Sequence, residues 1–271
     1  MGDSPHMMDR DHSREEKAAM KTGKTERQWY EIKAASGGSA DIWIYEEIGG
    51  NIWGEGLTAK QFVEDLAALQ VDHIALHINS PGGSVFDGQA IYNAIQRHPA
   101  RVTSHVEGLA ASIASVVALA GDTVEMAANA LFMIHDPYGM AMGTSADMRQ
   151  MAEVLDKVKG TILGVYERKT GLAPEAILEA MAAETWYTAA EAEAAGYADS
   201  VAAPVKAAAL SRFDFKSLGY RHVPDALARV TTEGTAEVGY GPEGAQYVKE
   251  PLVRDQVHSP GYFRSLRREG R

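Results

Sequence analysis

The chain's 271 residues include no cysteine. Disulfides, thiolate metal sites and a cysteine nucleophile are therefore excluded, and the composition fits a reducing cytoplasm. No run of about 18 apolar residues occurs, so no transmembrane helix is expected. The polar N-terminus lacks the apolar stretch of a secretory signal. Positive charge is scarce: 26 Lys and Arg stand against 37 Asp and Glu, a formal net charge of -11. That balance argues against unaided binding to nucleic acid or to an anionic membrane. A Walker-type nucleotide loop, an internal repeat and a low-complexity run are also missing.

What is present suits a globular chain. Its 45% hydrophobic and 23% charged residues suffice for one sizeable core with extensions, or for two small domains. Residues 1–27 are charged and without apolar periodicity, and read as a flexible arm. The opening MGDSPHM, followed at once by Met8, has the pattern of a vector remnant. Residues 28–202 alternate strand and helix patterns, which implies an α/β architecture of βαβ units. Strands are expected at 29–32, 40–45, 73–79, 101–106, 123–126 and 131–134, and a small-residue helix at 111–120. Thr58 with Gln61, Thr144 with Asp147 and Thr188 with Glu191 have capping-box spacing. Met148, Met151, Leu155, Val158, Ile162 and Val165 give the helix after Thr144 an apolar stripe that Gly171 ends. From 203 to 271 periodicity fades, and the segment reads as a poorly ordered or partner-binding extension ending in Arg264, Arg267, Arg268 and Arg271.

Three short segments carry candidate chemistry. Ser112, in Gly108-Leu-Ala-Ala-Ser112-Ile-Ala-Ser115, lies where a strand gives way to a helix, and unpaired N–H groups there favour developing negative charge. Taken alone, such a serine is more often a helix cap in a tightly packed core. Asn79-Ser-Pro-Gly82-Gly83-Ser84 is a glycine turn at the C-terminal end of a strand, the edge where α/β sheets place their sites. The N–H groups of Gly83 and Ile113 could form an oxyanion hole, typically worth about 3 kcal/mol per donor in the transition state. His135, in Met133-Ile-His135-Asp136-Pro137, is held directly after a strand, and histidine is the usual base for a serine nucleophile. A third group must orient the imidazole. Glu184 is favoured over Asp136, because adjacent residues of an extended segment point in opposite directions.

The stretches INSPGG, GLAASIASVVALAG, MIHDP and ETWYTAAEAEAAGYADSV, in this order, resemble the ClpP family of serine peptidases. They look most like its phage and prophage branch, the head maturation (prohead) proteases. The resemblance covers about residues 40–202. It implies a ClpP/crotonase-like spiral of βαβ units with a protruding handle helix, here 144–168. It makes Ser112 the nucleophile, His135 the base, and Gly83 and Ile113 the oxyanion donors. Gly82, Tyr138, Gly139 and Met140 fall where the family binds an extended peptide. The third position departs from the family, since Glu184 stands where ClpP has an aspartate. The resemblance also implies a homo-oligomeric ring, a scaffold or capsid protein as substrate, a bacterial cytoplasmic or prohead location, and no metal or organic cofactor. ClpP needs a separate AAA+ unfoldase for folded substrates; whether this chain has such a partner is open.

Other readings compete. A crotonase-type acyl-CoA enzyme shares the fold but has no use for a Ser112–His135 pair. A Ser-Lys peptidase would draw on Lys157, Lys159 or Lys169, which lie on or at the end of an amphipathic helix. An assembly or scaffold-binding protein could keep the fold without turnover.

Overall fold

The computed structural model describes residues 29–35, 37–49, 58–205 and 213–224. The expected N-terminal arm and the terminal arginines lie outside the described residues. The chain opens with an antiparallel hairpin of β1 (Tyr30–Ala35) and β2 (Ser39–Ile44). Helix α1 (Ala59–Ala68), strand β3 (His73–Ser80), helix α2 (Val85–Arg97) and strand β4 (Arg101–Ala111) follow as βαβ crossovers. Then come α3 (Ile113–Ala118), β5 (Thr123–Ala127) and β6 (Leu131–Ile134). The long α4 (Ser145–Thr170), α5 (Pro174–Ala182), β7 (Thr185–Thr188), α6 (Ala189–Ala195) and β8 (Ser200–Ala202) complete the described elements.

The sheet runs β1-β2-β3-β4-β5-β8, parallel from β2 onward. It forks at β4. Residues Thr103–Val106 pair with β5, whereas Leu109–Ala111 pair with β6, which in turn carries β7 antiparallel. Burial along β4 records the fork: residues alternate between the faces as far as Gly108, then all are buried from Leu109 on. Alternation means one face meets the core; continuous burial means both faces are covered. The main core holds Leu76, Ile78, Val106, Val117 and Phe132, all fully or almost fully buried. Full burial of such a side chain contributes roughly 1.5–3 kcal/mol each.

Several local expectations change in three dimensions. Strand β4 continues to Ala111, and the helix after it shrinks to Ile113–Ala118, because pairing with β6 holds Leu109–Ala111 extended. The Thr58–Gln61 capping box does not form: the Thr58 side chain makes no cap bond, and Gln61 donates to Asp65 one turn on, at 2.8 Å. The boxes at Thr144–Asp147 and Thr188–Glu191 are both complete. Helix α4 is 26 residues, about 39 Å long at 1.5 Å per residue. Its C-terminal half is buried through Val158, Ile162, Val165 and Tyr166, while its first half projects exposed, a handle. Among the described residues no helix is long and apolar enough to cross a membrane.

The largest departure is at the C-terminal end. Residues 213–224 fall in the stretch read as poorly ordered or partner-binding; in the structure Phe213, Phe215 and Tyr220 pack against Leu109, Ala111, Met133 and Trp186 as a second apolar cluster. Three aromatics within eight residues bury enough apolar area to hold a segment that has no helix or strand.

Candidate active site

The forked sheet brings three strand ends together. Parallel register pairs Ala111 with Met133, and the Ser112 N–H donates to the Met133 carbonyl at 3.0 Å. Antiparallel register pairs Ile134 with Thr185, so one further step sets His135 opposite Glu184. The end of β3 meets the same place through Ser80, which pairs with Ala110.

At this junction Ser112 takes φ 55° and ψ -129°. Ser112 and Glu184 (φ 52°) are the non-glycine residues with positive φ among those described. Such conformations cost of order 1–3 kcal/mol each and cluster at functional sites. Ser112 holds the N-cap position of α3 but makes no capping bond. Its Oγ instead lies 2.8 Å from His135 Nε2. The helix-cap explanation of this serine is thereby replaced by a hydroxyl–imidazole pair. The elbow is held from behind: Ser115 Oγ donates to the Ser112 carbonyl at 2.5 Å, and the buried Tyr166 hydroxyl, from α4, meets Ser115 Oγ at 2.7 Å.

The glycine turn packs directly on the elbow. A Cβ on Gly82 (φ +102°) would come within 2.7 Å of Ser112 Cβ and 2.9 Å of the Ala111 carbonyl, so this contact requires glycine. Ile48 bridges the turn by donating to the Gly82 carbonyl and accepting from the Ser84 N–H. Neither of these two bonds uses the Gly83 N–H. The Ile113 N–H is the first amide of α3, one of the donors a helix cannot satisfy internally. The expected oxyanion donors belong to the residue after Ser112 and to the glycine after Gly82, which packs on Ser112.

Two aromatic rings pack against the histidine. Tyr220 stacks on it at 5.3 Å and 26°, and Tyr138 meets it edge-on at 5.6 Å. Burial lowers the pKa of His135 below its ordinary value, opposed by the negative charges of Glu184 and Asp136. This burial favours the neutral imidazole, the form able to accept a proton. Asp136 is committed elsewhere, paired with Lys159 at 2.7 Å. Glu184 is buried beside the site, but no hydrogen bond joins it to His135 among the described residues. Its carboxylate accepts from the Arg221 N–H at 3.0 and 2.9 Å and from the His222 N–H at 2.8 Å.

Of the expected peptide-binding residues, Gly82 and Tyr138 reach the site. Gly139 lies near Met151 and Leu155 on α4, and the Met140 side chain stands exposed. Sequence reasoning missed Tyr220, Ser115 in its bracing role, and Tyr166. Ser115 sits inside the quoted motif, and Tyr220 announces itself only through the aromatic spacing Phe213, Phe215, Tyr220.

Residues 24–205 match the family model described as Clp protease. The ATP-dependent Clp protease proteolytic subunit 3 of Streptomyces coelicolor is 38% identical over 130 residues, 47% of this chain and 60% of that protein. Proteolytic subunit 2 of Thermobifida fusca is 36% identical over 149 residues, 53% of this chain and 73% of that one. The chain thus spans less than two thirds of the length of the Streptomyces relative. Among solved structures, a point mutant of ClpP1 from Listeria monocytogenes aligns with a TM-score of 0.53 at 23% identity, covering 60% of this chain and 91% of that one. The fold is that of ClpP.

Proposed function

Since this chain belongs to the Clp protease family, we propose that it is a serine endopeptidase with Ser112 as nucleophile and His135 as general base. The observation that carries this reading is the strained, uncapped Ser112 with its Oγ 2.8 Å from His135 Nε2. In the reaction, Oγ attacks the peptide carbonyl as Nε2 takes its proton, and the resulting oxyanion is held by the Gly83 and Ile113 N–H groups. The imidazolium then protonates the leaving amine, and water releases the acyl group by the same route in reverse. Glu184 stabilises the imidazolium by charge across the site and is the third member.

The test is covalent labelling with a fluorophosphonate. Wild type is expected to label at Ser112, and Ser112→Ala not at all. An unlabelled wild type, or equal labelling of both proteins, would end the assignment.

The finer role we propose is processing of scaffold or capsid protein during phage head assembly by a homo-oligomeric ring. It is supported by the motif resemblance and by the exposed first half of α4, a surface suited to subunit packing. Incubation with a scaffold protein should give Ser112-dependent fragments, and light scattering should give a mass of several subunits. A binding protein without turnover is the second reading, favoured by the engagement of Glu184 with Arg221 and His222 in place of His135. Intact scaffold that co-purifies with an unlabelled protein would select it.

A further inference from the structure

We infer that the cleft beside Ser112 is a peptide-binding groove whose occupant is the chain's own segment Phe213–Pro224, which keeps the site closed until a protein substrate displaces it. This rests on the peptidase reading above. The segment engages each working part of the site with a separate group. The Tyr220 ring covers the face of His135, and its hydroxyl, beside Ser112, donates to the Pro81 carbonyl just before the glycine turn. The Arg221 and His222 N–H groups take the Glu184 carboxylate, the one acidic group placed opposite His135 by strand register. Tyr138, expected on the peptide-binding strand, donates its hydroxyl to the Leu218 carbonyl at 2.5 Å.

Side chains anchor the occupant. Phe215 meets Trp186 edge-on at 5.6 Å, and Tyr220 lies 5.9 Å from the same indole. The cleft therefore selects aromatic or large apolar side chains, and a displacing substrate must offer the same. The segment fills the groove without presenting a bond to cut. Its peptide groups close on themselves, Leu218 N–H to the Asp214 carbonyl, Gly219 N–H to Lys216 and Tyr220 N–H to Phe215. A compact turn of this kind lays no extended peptide across Ser112.

The experiment uses the full chain with Tyr220→Ala, and Tyr220→Phe as the milder change that keeps the ring. An open form populated at about 0.1–10% rises to dominance when the occupant is weakened, so fluorophosphonate labelling of Ser112 and hydrolysis of a short fluorogenic peptide should accelerate roughly tenfold to a thousandfold. Tyr220→Phe should give a smaller gain. Unchanged rates in both variants, or slower ones, overturn the inference; slower rates would make Tyr220 a positioning residue for His135. Absence of label in every protein would instead count against the peptidase reading. The occupant is judged separately by limited trypsin digestion after Lys216 and Arg221: faster cleavage in Tyr220→Ala than in wild type supports seating in the groove, and equal cleavage overturns it.

Discussion

The end of β4 (Leu109–Ala111) and strands β6 and β7 are covered on both faces, and the two faces are covered in different ways. Ala110, Phe132, Ile134 and Tyr187 face the main core. Their sequence neighbours Leu109, Ala111, Met133 and Trp186 face the second cluster, as the two-residue period of a strand requires. The main core is closed by helices wound onto the sheet by the intervening chain. The second cluster is closed by one short segment from far along the sequence. Phe132 and Met133 are adjacent and both 0% exposed, yet they belong to different structural systems. Equal burial need not mean equal purpose: one face holds the fold, the other sets the state of the site.

The sharpest test of that difference is the adjacent pair. Phe132→Ala should cost about 3–5 kcal/mol in urea denaturation, by transfer and cavity terms together. The labelling rate of Ser112 per folded molecule should stay unchanged. Met133→Ala should cost less, about 2 kcal/mol at the lower end of such changes, and should speed labelling by loosening residues 213–224. If the two variants lose equal stability and neither alters labelling, the contrast between the faces fails. Gly82→Ala tests the rim where both faces end. Its Cβ collides with Ser112, so kcat/KM should fall about a hundredfold, the usual consequence of a roughly 1 Å misplacement of reacting groups. Activity close to wild type would show that the elbow can relax around the added methyl group.

The two faces also differ in how far the sequence reveals them. Ile74, Leu76 and Ile78 alternate plainly along β3, so the first face was legible from periodicity. The approach of Ser112 and His135 was legible because each stands in a distinctive motif, His135 directly after a strand and Ser112 where a strand gives way to a helix. The true length of β4 was not. Gly108-Leu-Ala-Ala reads equally well as the start of an alanine-rich helix, and only pairing with β6, more than twenty residues on, settles it. Thr58 and Gln61 had capping-box spacing, but the Gln61 side chain bonds to Asp65 one turn on instead. The position of Glu184 could be read, but its partners could not. Arg221 lies 37 residues away, and Tyr220 reaches Pro81 across 139 residues. Contacts of such separation leave no local pattern.

A smaller effect is expected behind the elbow. Ser115→Ala removes the bond to the Ser112 carbonyl and leaves the buried Tyr166 hydroxyl without its partner, at a cost of roughly 1–3 kcal/mol. Adding Tyr166→Phe should recover part of this loss, because both polar groups are then gone. A double variant no more stable than Ser115→Ala would mean that Tyr166 finds another acceptor.

The smallest effect is a shift in pH dependence. The neutral imidazole is the base, so kcat/KM rises with pH through the His135 pKa, and burial places that midpoint below 6.5. Tyr220→Ala uncovers one face of the ring, relieves the desolvation and should move the midpoint up toward 6.5. Glu184→Gln removes a negative charge that favours the imidazolium and should move the midpoint further down. The two substitutions alter neighbouring parts of one contact between the site and residues 213–224, yet their expected signs are opposite. A downward shift in both would mean that Tyr220 acts on His135 through Glu184, and that the segment positions the carboxylate more than it covers the ring.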